Sequence, residues 1–294
     1  MESIPFDKRS GKIWYNGKET DWSNATVHVL NHGLHYASCV FEGERVYEGK
    51  IFKLEEHTER LFHSANRMGI KVPFNQEEIN QACNKIVLTQ NVLNGYVRPV
   101  IWRGSEMMAI SAQKNKVHVA IAAWDWGSYF DPKLKLKGIR LDISSWRRPN
   151  PNSVPWDTKA AGLYMICTLS KHKAESKGFT DSLMLDHEGN IAEATGANIF
   201  FKDKENKIHT PIPDSFLNGI TRRCVIDIIK NKGINILERK IKPEEMANFT
   251  GCFLTGTAAE ITPVSQIDKY NFTVCKIITG LSESYQALVR KKNS

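Results

Sequence analysis

This chain has no long hydrophobic run. Its longest apolar stretches resemble Val117-His118-Val119-Ala120-Ile121-Ala122-Ala123, far short of the roughly 20 residues that span a bilayer, so no membrane segment is expected. The N-terminal Met1-Glu2-Ser3-Ile4-Pro5-Phe6-Asp7 has neither a basic region nor an apolar core, so no signal peptide is expected. Cysteine is scarce and scattered, at Cys39, Cys83, Cys167, Cys224, Cys252 and Cys275. With no Cys-x-x-Cys pair, neither a zinc site nor a redox motif is indicated, and isolated thiols suit a reducing, cytoplasmic setting. Asn-x-Thr triplets at Asn24, Asn248 and Asn271 carry no meaning without secretion. Internal repeats and low-complexity segments are lacking as well.

What remains is a globular composition. The chain has 294 residues, 41% hydrophobic and 24% charged, enough for one large or two ordinary domains. The net charge of +8 raises the question of nucleic acid, but Lys and Arg alternate with Asp and Glu along most of the chain. The densest cluster, Lys133-Leu134-Lys135-Leu136-Lys137, reads as a solvated face. No aromatic or groove-reading element accompanies it, so no nucleic-acid partner is expected. The excess charge suits anionic small molecules.

The first part reads as hairpins and two helices. Asn16-Gly17 is a hairpin turn, and Glu48-Gly49 separates the strands Val40 to Tyr47 and Lys50 to Leu54. Helical spacing covers His57 to Met68 and Ile79 to Leu88. Tyr96 to Trp102 and Val117 to Trp124 are apolar strands. Asp125 to Pro132 is rich in turn formers and aromatics, which places a linker there. We therefore expect a small α+β domain over residues 1–126, a linker over 127–136 and a larger domain over 137–294. In that second part, strand Ile139 to Ser144 leads to a helix from about Ala160 to Ser176. Strands Ser182 to Leu185 and Asn198 to Phe201, a helix near Thr221 to Lys230, strand Cys252 to Leu254 and a helix from Thr279 to Val289 follow.

The most informative residue is Lys159, in Trp156-Asp157-Thr158-Lys159-Ala160-Ala161-Gly162-Leu163-Tyr164. Most lysines are solvated surface charges. One crowded by small residues loses hydration, which lowers its pKa and frees a neutral amine to attack an aldehyde. Pyridoxal phosphate is the usual aldehyde cofactor, and it needs a ring-nitrogen partner and a phosphate cup. Glu193, among small residues, is costly to bury unless it faces a cation such as a protonated ring nitrogen; by itself it reads more simply as a loop residue. Two phosphate cups are available: Leu217-Asn218-Gly219-Ile220-Thr221-Arg222 at a helix start, and the small turn Gly256-Thr257-Ala258-Ala259-Glu260. Arg60 adds charge, or pairs with Glu56 along its helix. His28, His32 and His35 would suggest a metal hydrolase, but no carboxylate lies among them and Gly33 interrupts a helix, so no metal is expected.

Taken together, the motifs carry a family likeness. They are His35-Tyr36, Phe41-Glu42-Gly43, Glu56-His57-x-x-Arg60-Leu61, Tyr96-Val97-Arg98-Pro99, Lys159-Ala160-Ala161-Gly162-x-Tyr164, Glu193-Ala194-x-Gly196-x-Asn198, Leu217-x-Gly219-Ile220-Thr221-Arg222 and Gly256-Thr257-Ala258-Ala259-Glu260. Over nearly its whole length the chain resembles the class IV pyridoxal-phosphate aminotransferases, and within them those for branched-chain amino acids. The resemblance implies a mixed α/β, two-domain fold of the D-amino acid aminotransferase kind, with the active site between the domains and shared across a homodimer or larger assembly.

It also implies roles. Lys159 forms the internal aldimine with pyridoxal 5'-phosphate, Glu193 pairs with the ring nitrogen and Tyr164 bonds the phenolic oxygen. Arg60, Ile220, Thr221 and Thr257 hold the phosphate, with Leu217, Gly219 and Gly256 in the same loops. Tyr96 and Thr257-Ala258-Ala259 receive the α-carboxylate. Phe41, Gly43, Trp126, Tyr129 and Tyr164 wall the pocket, completed by Tyr36 and Met108 of the partner subunit. The implied reaction is ping-pong transfer from leucine, isoleucine or valine to 2-oxoglutarate, with Arg98 gripping the second carboxylate. Tyr96 and Arg98 share one strand face, and Phe41, Gly43 and Arg45 share another. D-amino acid aminotransferase and aminodeoxychorismate lyase use the same frame; the Tyr-x-Arg strand and the Gly-Thr-Ala-Ala turn favour the branched-chain reading. One departure stands out: Glu44 occupies a place where an apolar residue is expected. Alternation groups it with Glu42, outside the pocket.

Overall fold

The computed structural model describes residues 4–127, 130 and 137–291. Most of the expected linker, including Tyr129 and the lysine run up to position 136, lies outside these residues. The chain divides into two compact units, 1–127 with 158–162, and 128–157 with 163–294. The short segment carrying Lys159 therefore counts with the first unit. Its Ala160 bridges Val40, and Phe41 N–H donates to the Lys159 carbonyl at 3.2 Å.

The first unit is built on a seven-stranded sheet. Its strands are β1 (Lys12–Tyr15), β2 (Lys18–Asp21), β3 (Cys39–Phe41), β4 (Glu44–Tyr47), β5 (Lys50–Ile51), β6 (Gly95–Arg103) and β7 (Val117–Asp125). They run in the order β2-β1-β7-β6-β4-β5, with β3 also on β6. Asn16 and Gly17 both have positive φ, the mirror-image turn that suits a two-residue hairpin. A one-turn helix, α1 (His32–Tyr36), ends at Ala37 in the left-handed region. Helices α2 (Leu54–Arg67) and α3 (Gln76–Thr89) pack on the sheet through Leu61, Ala65, Ile79, Cys83 and Ile86, all buried. Leu54, read from sequence as the end of a strand, opens α2 instead. The α3 start carries a reciprocal cap, Asn75 side chain to Glu78 N–H and Glu78 side chain to Asn75 N–H.

The second unit holds nine strands among the described residues. These are β8 (Ile139–Arg147), β9 (Asp181–Leu185), β10 (Ile191–Ala194), β11 (Asn198–Asp203), β12 (Ile208–Thr210), β13 (Ile236–Glu238), β14 (Phe249–Gly256), β15 (Glu260–Ile267) and β16 (Tyr270–Asn271). The path β10-β9-β8-β15-β14-β11 returns to β10, so the sheet closes on itself. The closing contact is the pair Glu193↔Asn198. Leu183, Ile191, Ile199, Leu254 and Val264 fill the enclosed core, while Phe200 and Phe253, alternating to the other face, stack at 4.9 Å. Helices α4 (Met165–Ser176), α5 (Ile220–Asn231) and α6 (Lys276–Val289) cover the strands. Helix α4 begins later than its sequence pattern suggests, because Ala161–Tyr164 forms a 3-10 turn first. No helix among the described residues is long and apolar enough to cross a membrane.

Candidate active site

In the first unit, the bridge between Ala160 and Val40 presents Lys159 beside β3. Its N–H donates to Ser64 Oγ on α2 at 3.0 Å, which joins the lysine backbone to that helix. Lys159 is half-buried, and Nζ lies 4.8 Å from the Phe41 ring centre. Burial lowers its pKa; the Glu42 carboxylate opposes this, and the Arg60 and Arg98 guanidinium groups reinforce it.

Behind it lies a buried charge cluster. Glu42 accepts from Arg60 Nε at 2.6 Å and Nη2 at 2.9 Å, from His57 Nδ1 at 2.7 Å, and from Gly43 N–H at 3.1 Å. Burial alone would raise the Glu42 pKa, but Arg60 and His57 outweigh it and hold the carboxyl well below the usual carboxylate range. Burial also lowers the His57 pKa, against the pull of Glu42, so the imidazole is neutral and donates. Arg60, expected to pair with Glu56 or to hold a phosphate, is thus anchored first by Glu42. Glu44 does lie with Glu42, but its surroundings were not anticipated: it is 1% exposed.

Tyr96, Arg98, Phe41 and Gly43 meet on a single face, not two. The Arg98 guanidinium sits 4.7 Å from the Phe41 ring centre and 5.4 Å from that of Tyr96. A Cβ on Gly43 would stand 1.7 Å from Tyr96 Oη, so only glycine lets this ring lie flat here. Trp126 packs edge-on to Tyr96 at 4.8 Å. Arg45, buried beside them, donates to the Gly127 carbonyl at 2.9 Å. Tyr36 and Met108 are exposed, among Val29, Leu34, Met107 and Ile110, the last 85% exposed. His32 joins the two loops by bonding the Ala109 carbonyl at 3.0 Å.

In the second unit, Glu193 lies on β10 rather than on a loop. Asn198 Nδ2 donates to Glu193 Oε2 at 3.2 Å and to the Leu217 carbonyl at 2.9 Å, while Asn198 Oδ1 accepts from Gly219 N–H at 3.1 Å. One side chain thus fixes the carboxylate relative to the start of α5. Gly219 is required at that point, since a Cβ there would lie 2.2 Å from Asn198 Oδ1. Gly219 is the N-cap and offers no side-chain cap, so the first amides of α5, at Ile220 and Thr221, face the helix start uncapped. Arg148, buried, places Nε 3.5 Å from Glu193 Oε1. The tight turn Thr257-Ala258-Ala259 connects Gly256 to Glu260, which pair across β14 and β15. Tyr164 is half-buried at the end of its 3-10 turn. Arg222, in the same motif as Thr221, is committed elsewhere: it donates to the Pro211 carbonyl and to Glu238.

Sequence reasoning did not assign a role to His57 or Ser64 in the first unit, or to Asn198 or Arg148 in the second. Asn198 and His57 stood inside the quoted motifs, and Arg148 in an Arg-Arg-Pro loop, but nothing in the spacing identified their partners. In the first unit Lys159 offers a weakened amine; in the second, Glu193 offers a pinned carboxylate and the start of α5 offers uncapped amides, which suit an anionic group.

Residues 39–267 match the family described as Amino-transferase class IV. The chain is 44% identical over 295 residues to the probable branched-chain-amino-acid aminotransferase of Rickettsia conorii, covering 99% of this chain and 100% of that one. It is 40% identical over 264 residues to the branched-chain-amino-acid aminotransferase of Pseudomonas aeruginosa, covering 88% and 86%. Among solved structures, the branched-chain aminotransferase of Thermoproteus uzoniensis with norvaline superposes with a TM-score of 0.92 at 34% identity, over 97% of each chain. The branched-chain amino acid aminotransferase of Thermobaculum terrenum in its PLP-bound holo form gives a TM-score of 0.87 at 28% identity, over 96% of this chain and 95% of that one.

Proposed function

The chain belongs to the class IV aminotransferases, and we propose that it transfers the amino group of L-leucine, L-isoleucine or L-valine to 2-oxoglutarate, using pyridoxal 5'-phosphate. The observation that carries this reading is, in the second unit, a Glu193 carboxylate tied through Asn198 to the uncapped start of α5; the weakened Lys159 amine of the first unit supports it. When bound, the cofactor supplies an aldehyde that takes up the amino group and a ring that accepts electrons.

Lys159 would bind the aldehyde and carry a proton to and from the substrate α-carbon; its lowered pKa favours the neutral amine that this role needs. Glu193 would keep a proton on the ring nitrogen, with Asn198 orienting the carboxylate and Arg148 lying 3.5 Å from its other oxygen. Tyr164 donates to the phenolic oxygen. Arg60, the amides of Ile220 and Thr221, and Thr257 hold the phosphate, with Leu217, Gly219 and Gly256 shaping the loops. Tyr96 and Thr257-Ala258-Ala259 orient the α-carboxylate.

Phe41, Gly43 and Trp126 form an apolar wall, and Arg98 lies against it to receive the second carboxylate of 2-oxoglutarate. Tyr129, outside the described residues, is assigned to the same wall on family likeness alone. The exposed apolar residues around Tyr36 and Met108 suit a homodimer in which Tyr36 and Met108 of the partner subunit close the pocket. We place the enzyme in the cytoplasm, where its six cysteines remain thiols.

Both substrates use one site in turn, so initial-rate lines for L-leucine and 2-oxoglutarate run parallel; intersecting lines would contradict the scheme. Arg98→Ala lowers kcat/KM for 2-oxoglutarate at least tenfold more than for L-leucine, about 1.4 kcal/mol of selective loss. Equal losses would remove Arg98 from that role.

A further inference from the structure

Neither carboxylate oxygen of Glu44 has a hydrogen-bond partner among the described residues, although the side chain is almost wholly enclosed. A carboxyl so placed is held as the neutral acid, because an ionised one would stand unpaired in a medium of low polarity. The charges that act on it are the Glu42 anion, two residues back along the chain, and the Arg60 guanidinium on α2. On α3, burial pushes up the Cys83 thiol. Lys159 is felt at His57. With Glu44 neutral, Arg60 and Glu42 balance. With Glu44 ionised, the cluster holds two carboxylates around Arg60.

We propose that Glu44, enclosed and without a hydrogen-bond partner, is a positioning residue for Arg60: its neutral form leaves one carboxylate, Glu42, in the cluster, and a second carboxylate there would weaken the hold of Arg60 on an anionic ligand. This rests on the reading of Arg60 as a phosphate ligand. Burial first, and then Glu42, raise the Glu44 pKa well above the ordinary value, with Arg60 opposing. An apolar residue at this position would fill the same space with nothing to titrate. The sign follows from linkage: stability from the neutral acid is complete below the unfolded pKa of about 4.3 and is lost as pH rises through the folded value.

The test compares wild type with Glu44→Gln, and with Glu44→Leu in case the buried amide prevents folding. The dissociation constant of pyridoxal 5'-phosphate is followed from about pH 7 to about pH 10, and the melting temperature of the cofactor-free protein over the same range. The wild-type constant is expected to rise at least roughly tenfold more than that of either variant, one pKa unit of linkage, and the wild-type melting temperature to fall further. Parallel pH profiles overturn the role of Glu44 alone. So does a uniform offset at every pH, which packing by itself would give. If wild type fails to take up pyridoxal 5'-phosphate at all, the reading of the whole site falls, and the role of Glu44 with it.

Discussion

Adding one methyl group at Gly43 should disable catalysis while sparing the fold. The new Cβ would stand 1.7 Å from Tyr96 Oη, 2.6 Å from Cζ and 3.2 Å from Cε1. Ordinary contact begins at about 3.5 Å, so the hydroxyl has to move by nearly 2 Å. It cannot swing freely, because Tyr96 is buried and its ring packs against Trp124 at 5.4 Å and Trp126 at 4.8 Å. Gly43 itself lies outside the left-handed region, so Gly43→Ala adds no backbone strain. Overpacking of this kind costs about 1–3 kcal/mol. A displacement of about 1 Å in a substrate-positioning group costs roughly a hundredfold in rate. Gly43→Ala should therefore lose about a hundredfold in kcat/KM for L-leucine, still bind pyridoxal 5'-phosphate, and melt only modestly lower. Combining it with Tyr96→Phe should restore little, since the Cζ contact at 2.6 Å remains. Steady-state kinetics and thermal unfolding decide the matter. A Gly43→Ala enzyme within about threefold of wild type would refute the placement of Tyr96 in the substrate pocket.

Two further substitutions probe the scaffold. Glu42→Gln removes the buried carboxylate that neutralises Arg60, so urea unfolding near neutrality should show a loss of up to about 3–5 kcal/mol. The Glu42 pKa is lowered in the folded state, so its contribution is present above the unfolded value of about 4.3 and disappears as pH falls through the folded one; the penalty of the substitution should shrink in acid. Asn198→Ala leaves the Leu217 carbonyl and Gly219 amide without their side-chain partner, at a cost of about 1–3 kcal/mol. It should also weaken cofactor retention, which equilibrium dialysis would show; unchanged retention would remove Asn198 from the site.

How far the sequence foretold this arrangement varied with the physics at each place. The lowered pKa of Lys159 was legible because small residues crowd it in the sequence itself. The Asn16-Gly17 hairpin and the α2 and α3 stripes were legible because turn chemistry and helical periodicity are local. Glu193 was harder to place. Its strand, Ile191–Ala194, is short and takes its form from a long-range closure with Asn198 and from β9, neither of which periodicity reports. Strand β15 escaped notice for another reason: Pro263 interrupts it while pairing with Phe253. Alternation grouped Glu44 with Glu42 but said nothing of what covers that face. The folded chain turns an apparently peripheral acid into a buried one. Arg148 shows the same limit, since it lies just past β8 and pairs with Glu193 on β10, far away in sequence.

The central claim is that Lys159 serves a pyridoxal 5'-phosphate site that deaminates branched-chain L-amino acids. It is tested most directly by the visible spectrum of the purified protein before and after L-leucine is added without any oxo acid. A yellow absorbance that L-leucine bleaches in a single turnover, and that Lys159→Ala cannot convert at a comparable rate, is the expected result. A protein that stays colourless after incubation with pyridoxal 5'-phosphate, or a yellow one bleached by D-alanine but not by L-leucine, would contradict it.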